Sequence, residues 1–241
     1  MSTPTALSRR LFPAYIDGMD HTPADDWTAR QETALLAAAL PLAPALGWNA
    51  RLVQAAAREA GLSRAEAELV LPGGPRDLAA LLARRHDDAM LAALASTDPT
   101  ALKIRERIGV AVRARLDAAA RDEAAVRRWA GWLALPGNLP LALGLVWRSA
   151  DAVWRWAGDT ATDENHYTKR AILGGILIST LAIRLTRSRG DAEAFLDGRI
   201  EDVMRFERWK AGVRPLDLLA EIAGALGRLR YGRAKAGAEV G

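Results

Sequence analysis

Apolar residues recur at intervals of three and four positions along most of the chain, which is the spacing that places them on one face of an α-helix. The helix formers Ala, Leu, Arg and Glu dominate, and no stretch alternates apolar and polar residues as a half-buried strand does. Pro and Gly punctuate the pattern, beginning with Pro41, Pro44 and Gly61. We therefore predict an all-α protein with helices at 28–40, 49–60, 64–70, 75–95, 99–118, 122–134, 138–157, 163–186, 191–210 and 215–230.

Residues 47–83 have helix–turn–helix character, because one predicted helix ends at Gly61 and the next can be capped by Ser63. The segment resembles the N-terminal module of TetR-type regulators. A helix that reads DNA presents cations and amides to the groove, but this second helix sets Arg64 against Glu66 and Glu68. We predict the arrangement without DNA binding, and two ordinary core helices remain the alternative.

Composition excludes several kinds of chemistry. The 241 residues include no cysteine, which rules out disulfides, thiol nucleophiles and thiolate metal sites. The three histidines lie far apart and lack metal-ligand spacing, so we expect no metal. Eight cations and four acids follow from Arg205 onward and account for the whole formal net charge of +4. A basic face, if the protein has one, is predicted at the C-terminus.

The longest apolar run, residues 171–183, is 13 residues long. As a helix it would extend roughly 20 Å, against about 30 Å of bilayer hydrocarbon, so we predict a buried core helix. The first 20 residues lack a continuous apolar stretch, and no secretory signal is predicted.

A polar segment, "GDTATDENHYTKR" (158–170), separates that run from the Trp-rich residues 146–157. Thr162 can cap a helix that begins at Asp163, and acids suit the positive end of its dipole. Asp163, His166, Tyr167 and Arg170 then share one face. No nucleophile accompanies the histidine, so we predict a solvent-facing helix start on which a partner can dock.

The preceding helix has three predicted faces. The core stripe comprises Trp147, Ala150, Trp154 and Ala157, and a charged face comprises Arg148, Asp151 and Arg155. A third face comprises Ser149, Ala152, Val153 and Trp156. Two interpretations of this third face remain open: the helix is buried on two sides, or the face is an exposed docking patch.

The pattern of residues 215–233 predicts an amphipathic helix, and a cationic end follows it. Its apolar face comprises Leu218, Leu219, Ile222, Leu226 and Leu229, and the cations include Arg228 and Arg230. This pattern is typical of a helix in a membrane interface. Packing on the core or on a second subunit is the alternative.

Two motifs carry a specific resemblance. "LPGNLPLALGLVWRSADAVWRWAGDTATDENHYTKRAIL" and "FLDGRIEDVM" (195–204) closely resemble the ubiquinone-biosynthesis accessory family, the ninth of the coenzyme Q proteins. "KIRERIGVAVRARL" (103–116) also fits its bacterial members, and the resemblance covers roughly residues 30–231. Glu164 and His166 depart from the aromatic residues usual there, and Gly198 replaces a usual Arg.

The resemblance implies a TetR-like fold that forms homodimers and binds no nucleic acid. It implies that the protein binds isoprenoid quinone precursors and presents them to a di-iron demethoxyubiquinone hydroxylase. The implied hydroxylase-docking residues are Val153, Trp156, Asp163, His166 and Tyr167. The implied membrane-binding residues are Leu218, Leu219, Ile222, Leu226, Leu229, Arg228 and Arg230.

We therefore predict a non-enzymatic lipid-binding accessory protein of ubiquinone biosynthesis. The alternative is a TetR-type transcriptional regulator that responds to an apolar effector. The pocket is expected from 141–147 and 171–183, lined by Trp147, Ile172, Ile176 and Leu177. We expect no cofactor other than a bound isoprenoid quinone or phospholipid, and a cytoplasmic protein peripherally attached to the inner (plasma) membrane. The predicted divisions are an arm (1–26), a helix–turn–helix-like module (27–95), a lipid-binding domain (96–210) and a membrane-interface helix with a basic tail (211–241).

Overall fold

The computed structural model describes the backbone of residues 23–159 and 164–212, and the side chains of residues 27–159 and 166–205. These residues form nine α-helices and two 3-10 helices, and no strand occurs within them. The α-helices are α1 (Pro23–Leu46), α2 (Ala50–Glu59), α3 (Arg64–Val70), α4 (Pro75–Leu94), α5 (Ile104–Ala120), α6 (Glu123–Leu133), α7 (Leu139–Trp156), α8 (Glu164–Thr186) and α9 (Arg189–Gly212). The 3-10 helices are Pro99–Ala101 and Pro136–Asn138. The predicted all-α, TetR-like class is confirmed.

The predicted break at Pro41 and Pro44 is wrong, because α1 continues through both prolines to Leu46. Each proline removes one backbone N–H donor from the helix ladder. The flanking residues Ala39 and Ala43 are fully buried. Burial of the face around the prolines holds the helix where local propensity alone would end it.

The chain divides into two compact units, Met1–Leu81 and Leu82–Gly241. The division falls inside α4 rather than after residue 95. The second half of α4 explains this position, because His86, Met90 and Leu94 are buried there. Met90 and Leu94 pack in the hydrophobic core of the second unit.

Side-chain caps define the short helices of the first unit. The Asn49 side chain accepts hydrogen bonds from the Arg51 and Leu52 amides at the start of α2. The predicted cap at Ser63 is confirmed: its hydroxyl accepts from the Glu66 amide, and the Glu66 carboxylate accepts in return from the Ser63 amide. Such a capping box fixes the first turn of α3. Gly61 has φ +71°, a left-handed conformation that suits glycine at the end of α2.

The core of the second unit is built from α4, α5, α7, α8 and α9. Its fully buried members include Val112, Ala150, Val153 and Leu196. Within the described residues, no single helix is both long and apolar enough to cross a membrane. One bent pair, Glu123–Leu133 with Pro136–Trp156, satisfies the length and composition criteria jointly, with a bend of 95°.

Candidate functional site

The second unit contains a cavity of about 380 Å³ between α5, α6, α7 and α8, here called the apolar cavity. Most of its lining is aliphatic or aromatic, including Trp129, Leu133, Leu145, Leu177, Leu181 and Leu185. Three large apolar lining residues are exposed: Leu139 (46%), Leu143 (64%) and Ile178 (49%). They mark the mouth of the cavity, where apolar surface meets solvent.

Two polar residues, Arg115 and Ser149, line the apolar cavity, and both are already paired. The Arg115 Nε donates to Asp87 Oδ1 at 2.5 Å, and the Ser149 hydroxyl donates to the same oxygen at 2.7 Å. Because Asp87 matches the charge of Arg115, the wall presents no unpaired ion at this point. The cavity therefore favours an apolar occupant over a charged one.

A second cavity of about 430 Å³ lies between α5, the end of α7, the first half of α8, and α9. Its floor is apolar and includes Ile108, Ile172, Leu173, Ile176 and Ile200. Arg105, Arg107, Asp159 and Lys169 line the same cavity, here called the charged-rim cavity. Arg107 donates to the backbone carbonyls of Leu102 at 2.9 Å and Ala157 at 2.6 Å. This cation thereby satisfies a carbonyl at the C-terminus of α7.

A buried ion-pair network joins α7 to α8 beside that cavity. The guanidinium of Arg170, only 2% exposed, lies 2.7 Å from Asp151 and 3.0 Å from Asp159. Lys169 Nζ lies 2.7 Å from the other oxygen of Asp159 and 5.3 Å from the centre of the Trp154 ring. Burial would raise the pKa of Asp159, but hydrogen bonds from Lys169 and Arg170 outweigh it and lower that pKa below its ordinary value. The prediction that Arg170 lies on a solvent-facing side of α8 with His166 and Tyr167 is therefore wrong.

An aromatic cluster on the surface comprises Trp147, His166 and Tyr167. The Trp147 ring lies 6.4 Å from the His166 ring and 5.9 Å from the Tyr167 ring, measured between centroids. The His166 and Tyr167 rings are 5.2 Å apart and nearly perpendicular. Tyr167 is 64% exposed. An exposed tyrosine supported by two rings is a surface well suited to protein recognition.

The predicted docking residues do not share one surface. Val153 is fully buried in the core, so its predicted accessibility is wrong. Trp156 is half-buried and lines a surface groove with Arg148, Asp151 and Arg155. At about 100° per residue, Trp156 lies half a turn around α7 from Trp147 and hence from the aromatic cluster. The third face of α7 is therefore largely buried in the core. This agrees with the first of the two interpretations, in which the helix is buried on two sides.

Three of the four predicted lipid-binding residues are divided between the cavities, and the fourth lines neither. Leu177 lines the apolar cavity, whereas Ile172 and Ile176 line the charged-rim cavity. Trp147 belongs to neither lining and packs instead beside His166 and Tyr167 in the aromatic cluster. Sequence reasoning missed the α6 wall, including Trp129. The signal for it was present, since residues 129–147 contain no Asp, Glu, Lys or Arg.

Asp163 and all seven predicted membrane-binding residues lie outside the described residues. Within the part of the chain that the structure describes, no group of three or more His, Asp or Glu side chains could hold a metal ion. On α3, Arg64 pairs with Glu68 at 2.7 Å, and both side chains are exposed. The second helix of the helix–turn–helix-like module thus offers phosphate no unpaired arginine.

Comparison with known proteins identifies the relatives of this chain. The model of the COQ9 family matches residues 139–207, which include the aromatic cluster and much of the apolar cavity. The ubiquinone biosynthesis protein COQ9-B of Xenopus laevis is 30% identical over 210 residues, covering 80% of this chain and 69% of that protein.

Mammalian proteins match at the same level. COQ9 of Rattus norvegicus is 30% identical over 80% of this chain and 65% of its own length. COQ9 of Homo sapiens is 29% identical over 70% of this chain and 56% of its own length. All three relatives are named as mitochondrial ubiquinone biosynthesis proteins. The chain belongs to the COQ9 family.

Proposed function

We propose that this protein is a non-enzymatic accessory factor of ubiquinone biosynthesis, which holds an isoprenoid quinone precursor and presents it to a di-iron hydroxylase. Membership of the COQ9 family supports the biosynthetic role. The hydroxylase supplies the chemistry, and this chain supplies binding and orientation. Attachment to the cytoplasmic face of the membrane and formation of a homodimer remain predictions from the resemblance.

The apolar cavity is the observation that carries the proposal. Its volume of about 380 Å³ falls in the range of small-molecule sites, and its polar wall residues are paired with Asp87. An isoprenoid chain is a branched hydrocarbon that makes no hydrogen bonds. Burial of such a chain gains about 0.8 kcal/mol per CH₂ group removed from water. The apolar cavity therefore suits the isoprenoid chain better than the charged-rim cavity does.

The aromatic cluster is the proposed surface for the hydroxylase. Tyrosine and tryptophan are enriched among the residues that dominate the energy of protein interfaces. Tyr167 presents most of its ring to solvent while Trp147 and His166 hold it from beside. A rigid ring loses little conformational entropy when a partner covers it.

Native mass spectrometry of the purified full chain tests the lipid proposal. The wild type should release an isoprenoid lipid under gentle conditions. Ala142→Phe places a ring in the apolar cavity and should reduce the bound fraction about tenfold, since it occupies space that the chain needs. Val203→Phe is the matched control, because Val203 lines the charged-rim cavity. Loss of lipid in the Val203 variant alone would place the lipid in the charged-rim cavity instead. Recovery of no lipid from the wild type would overturn the proposal.

Co-purification with the hydroxylase tests the docking surface. Tyr167→Ala should reduce recovery of the hydroxylase about tenfold, as expected for an interface residue of high energy. Leu69→Ala is the control, because Leu69 is 72% exposed in the first unit. A loss caused by Trp156→Lys but not by Tyr167→Ala would place the docking site in the groove beside Trp156.

A further inference from the structure

The corner between α6 and α7 has no charged residue, and it is partly exposed to solvent. Residues 129–147 contain no Asp, Glu, Lys or Arg, and the 3-10 helix Pro136–Asn138 turns the chain in the middle of this run. The two helices meet at 95°. An uncharged run of this length is ordinary in a buried helix, but this one lies partly at the surface.

Three leucines of the corner are exposed at intervals of four residues. Leu135 is 53% exposed, Leu139 46% and Leu143 64%. Leu139 and Leu143 lie one turn apart on the same side of α7. Ile178, 49% exposed on α8, lines the apolar cavity together with them. The exposed apolar surface is therefore continuous with the mouth of the cavity.

We infer that the α6–α7 corner inserts into the interface of a lipid bilayer, so that the mouth of the apolar cavity opens toward the hydrocarbon. The inference rests on the proposed function, because it supplies the route by which the lipid arrives. A lipid that passes from the bilayer through this mouth does not have to cross water. This contact would be additional to the membrane contact predicted from the sequence for the C-terminal segment, and it involves different residues.

Charge favours a lipid surface over a second copy of the chain. Arg128 and Arg148 bound the uncharged run on either side, and both are exposed. Cations at the edge of an inserted apolar surface lie at the level of the headgroups, where anionic lipids attract them. Two copies joined through the same corner would instead bring these cations toward their equivalents. The apolar tip and cationic border together match a membrane with anionic lipid.

A single fluorescent label tests the contact directly, because the chain has no cysteine of its own. Gly137 lies at the tip of the corner, and a Cβ there meets no atom within 4 Å. Gly137→Cys, labelled with an environment-sensitive dye, should shift to the blue and brighten about twofold on vesicles of phosphatidylcholine and phosphatidylglycerol. Lipids that carry a quencher in the upper acyl chain should quench it. Gly198→Cys on α9 is the matched control, since a Cβ there also meets open space, and its label should remain in water.

Partitioning of the unlabelled full chain gives an independent measure. Leu139→Gln with Leu143→Gln should weaken vesicle binding about tenfold or more, because two exposed leucines no longer enter the bilayer. Leu69→Gln, an equally drastic change at an exposed leucine of the first unit, should leave binding unchanged.

Three results would overturn the inference. The first is a label at Gly137 that stays unchanged while the protein binds vesicles, and the second is absence of vesicle binding. The third is a blue shift that depends on protein concentration without vesicles, which would assign the corner to a second copy. Lipid recovered by mass spectrometry despite an unresponsive label would leave the proposed function standing. A responsive label on a protein that carries no lipid would reject the proposed function alone.

Discussion

Two regions of the second unit bury a basic side chain in opposite ways. At the junction of α7 and α8, Arg170 keeps its charge and pairs with Asp151 and Asp159. Behind the apolar cavity, His86 is 1% exposed, and among the described residues neither of its ring nitrogens has a hydrogen-bond partner. Its Nε2 lies 3.6 Å from Asp122, beyond hydrogen-bond distance.

The neighbours of His86 explain why it stays neutral. Burial lowers the pKa of His86 to about 2, and the positive charges of Arg115, Arg85 and Arg121 act in the same direction. Its ring lies edge-on to Trp129, which lines the apolar cavity. A neutral ring thus lies behind Trp129 in the wall of the apolar cavity, where the lining Arg115 is paired with Asp87, whereas the charged-rim cavity lies beside a larger network of ions. One pair of helices, α7 and α8, borders both environments, and this difference separates a hydrocarbon site from a polar one.

The largest effect is expected from removal of the buried cation. Arg170→Met would leave the carboxylates of Asp151 and Asp159 without their shared partner, and the side chain of Asp159 is only 6% exposed. Breaking a buried ion pair from one side costs about 3–5 kcal/mol. Urea denaturation at pH 7 should show this loss in the free energy of unfolding. A loss below 1 kcal/mol would mean that the network is no more important than a surface pair.

A smaller effect is expected when the neutral histidine is forced to ionise. The pKa of His86 is about 2 in the folded protein and about 6.5, the ordinary value for histidine, in the unfolded chain, so the unfolded state binds the extra proton. The stability that the folded state gains from keeping His86 neutral is fully present above pH 6.5, and it decreases as the pH falls toward 2. Between pH 8 and pH 5 the free energy of unfolding should decrease by about 2 kcal/mol through this residue.

His86→Gln isolates that contribution, because glutamine does not titrate in this range. The pH dependence of unfolding should be shallower in this variant than in the wild type, by about 2 kcal/mol between the two pH values. His166→Gln, in the aromatic cluster, is the matched histidine control. Parallel curves for wild type and His86→Gln would show that His86 is not neutral when folded.

The contrast between the two regions could be predicted only in part from the sequence. Most of the helices within the described residues and the Ser63 cap follow from local spacing and side-chain type, and they are confirmed, whereas the predicted end of the first helix at Pro41 is wrong. The partners of Arg170 lie 19 and 11 positions away along the chain, on another helix and at its end, so no helical spacing reveals them. Periodicity likewise gives the face of Val153 but not the helices that cover it.

The placement of the cavities was less predictable for the same reason. Apolar positions of α8 continue along one helix, so the sequence joins Ile172, Ile176 and Leu177 in one pocket. In the structure Ile176 and Leu177 are adjacent and buried, but they line different cavities. About 100° between neighbouring side chains directs them toward different helices. The packing of α6 and α9 on either side decides which cavity each residue enters.

Ser149 tests how much the paired polar groups of the apolar cavity contribute. Ser149→Ala removes one donor from Asp87 Oδ1 while Arg115 remains, so a loss of about 1 kcal/mol is expected in thermal or urea unfolding. Ser179→Ala is the control, because that hydroxyl bonds to the Gly175 carbonyl of its own helix. Such a bond competes with helical structure, and alanine is a better helix former, so no loss is expected. Equal losses in the two variants would mean that Asp87 does not depend on Ser149.

The smallest effect is expected at the exposed end of the Arg170 network. Arg155 also pairs with Asp151, at 2.7 Å, but its side chain is 75% exposed. Water and salt screen an ion pair of this kind, so Arg155→Ala should reduce the free energy of unfolding by about 0.5 kcal/mol or less. The same carboxylate therefore serves two arginines whose removal should differ several-fold in cost. Urea denaturation of both variants in the same buffer measures that ratio. Equal losses would show that the cost of removing an arginine from Asp151 does not depend on how deeply that arginine is buried. The contrast between the buried, paired Arg170 and the buried, neutral His86 would then have no energetic basis.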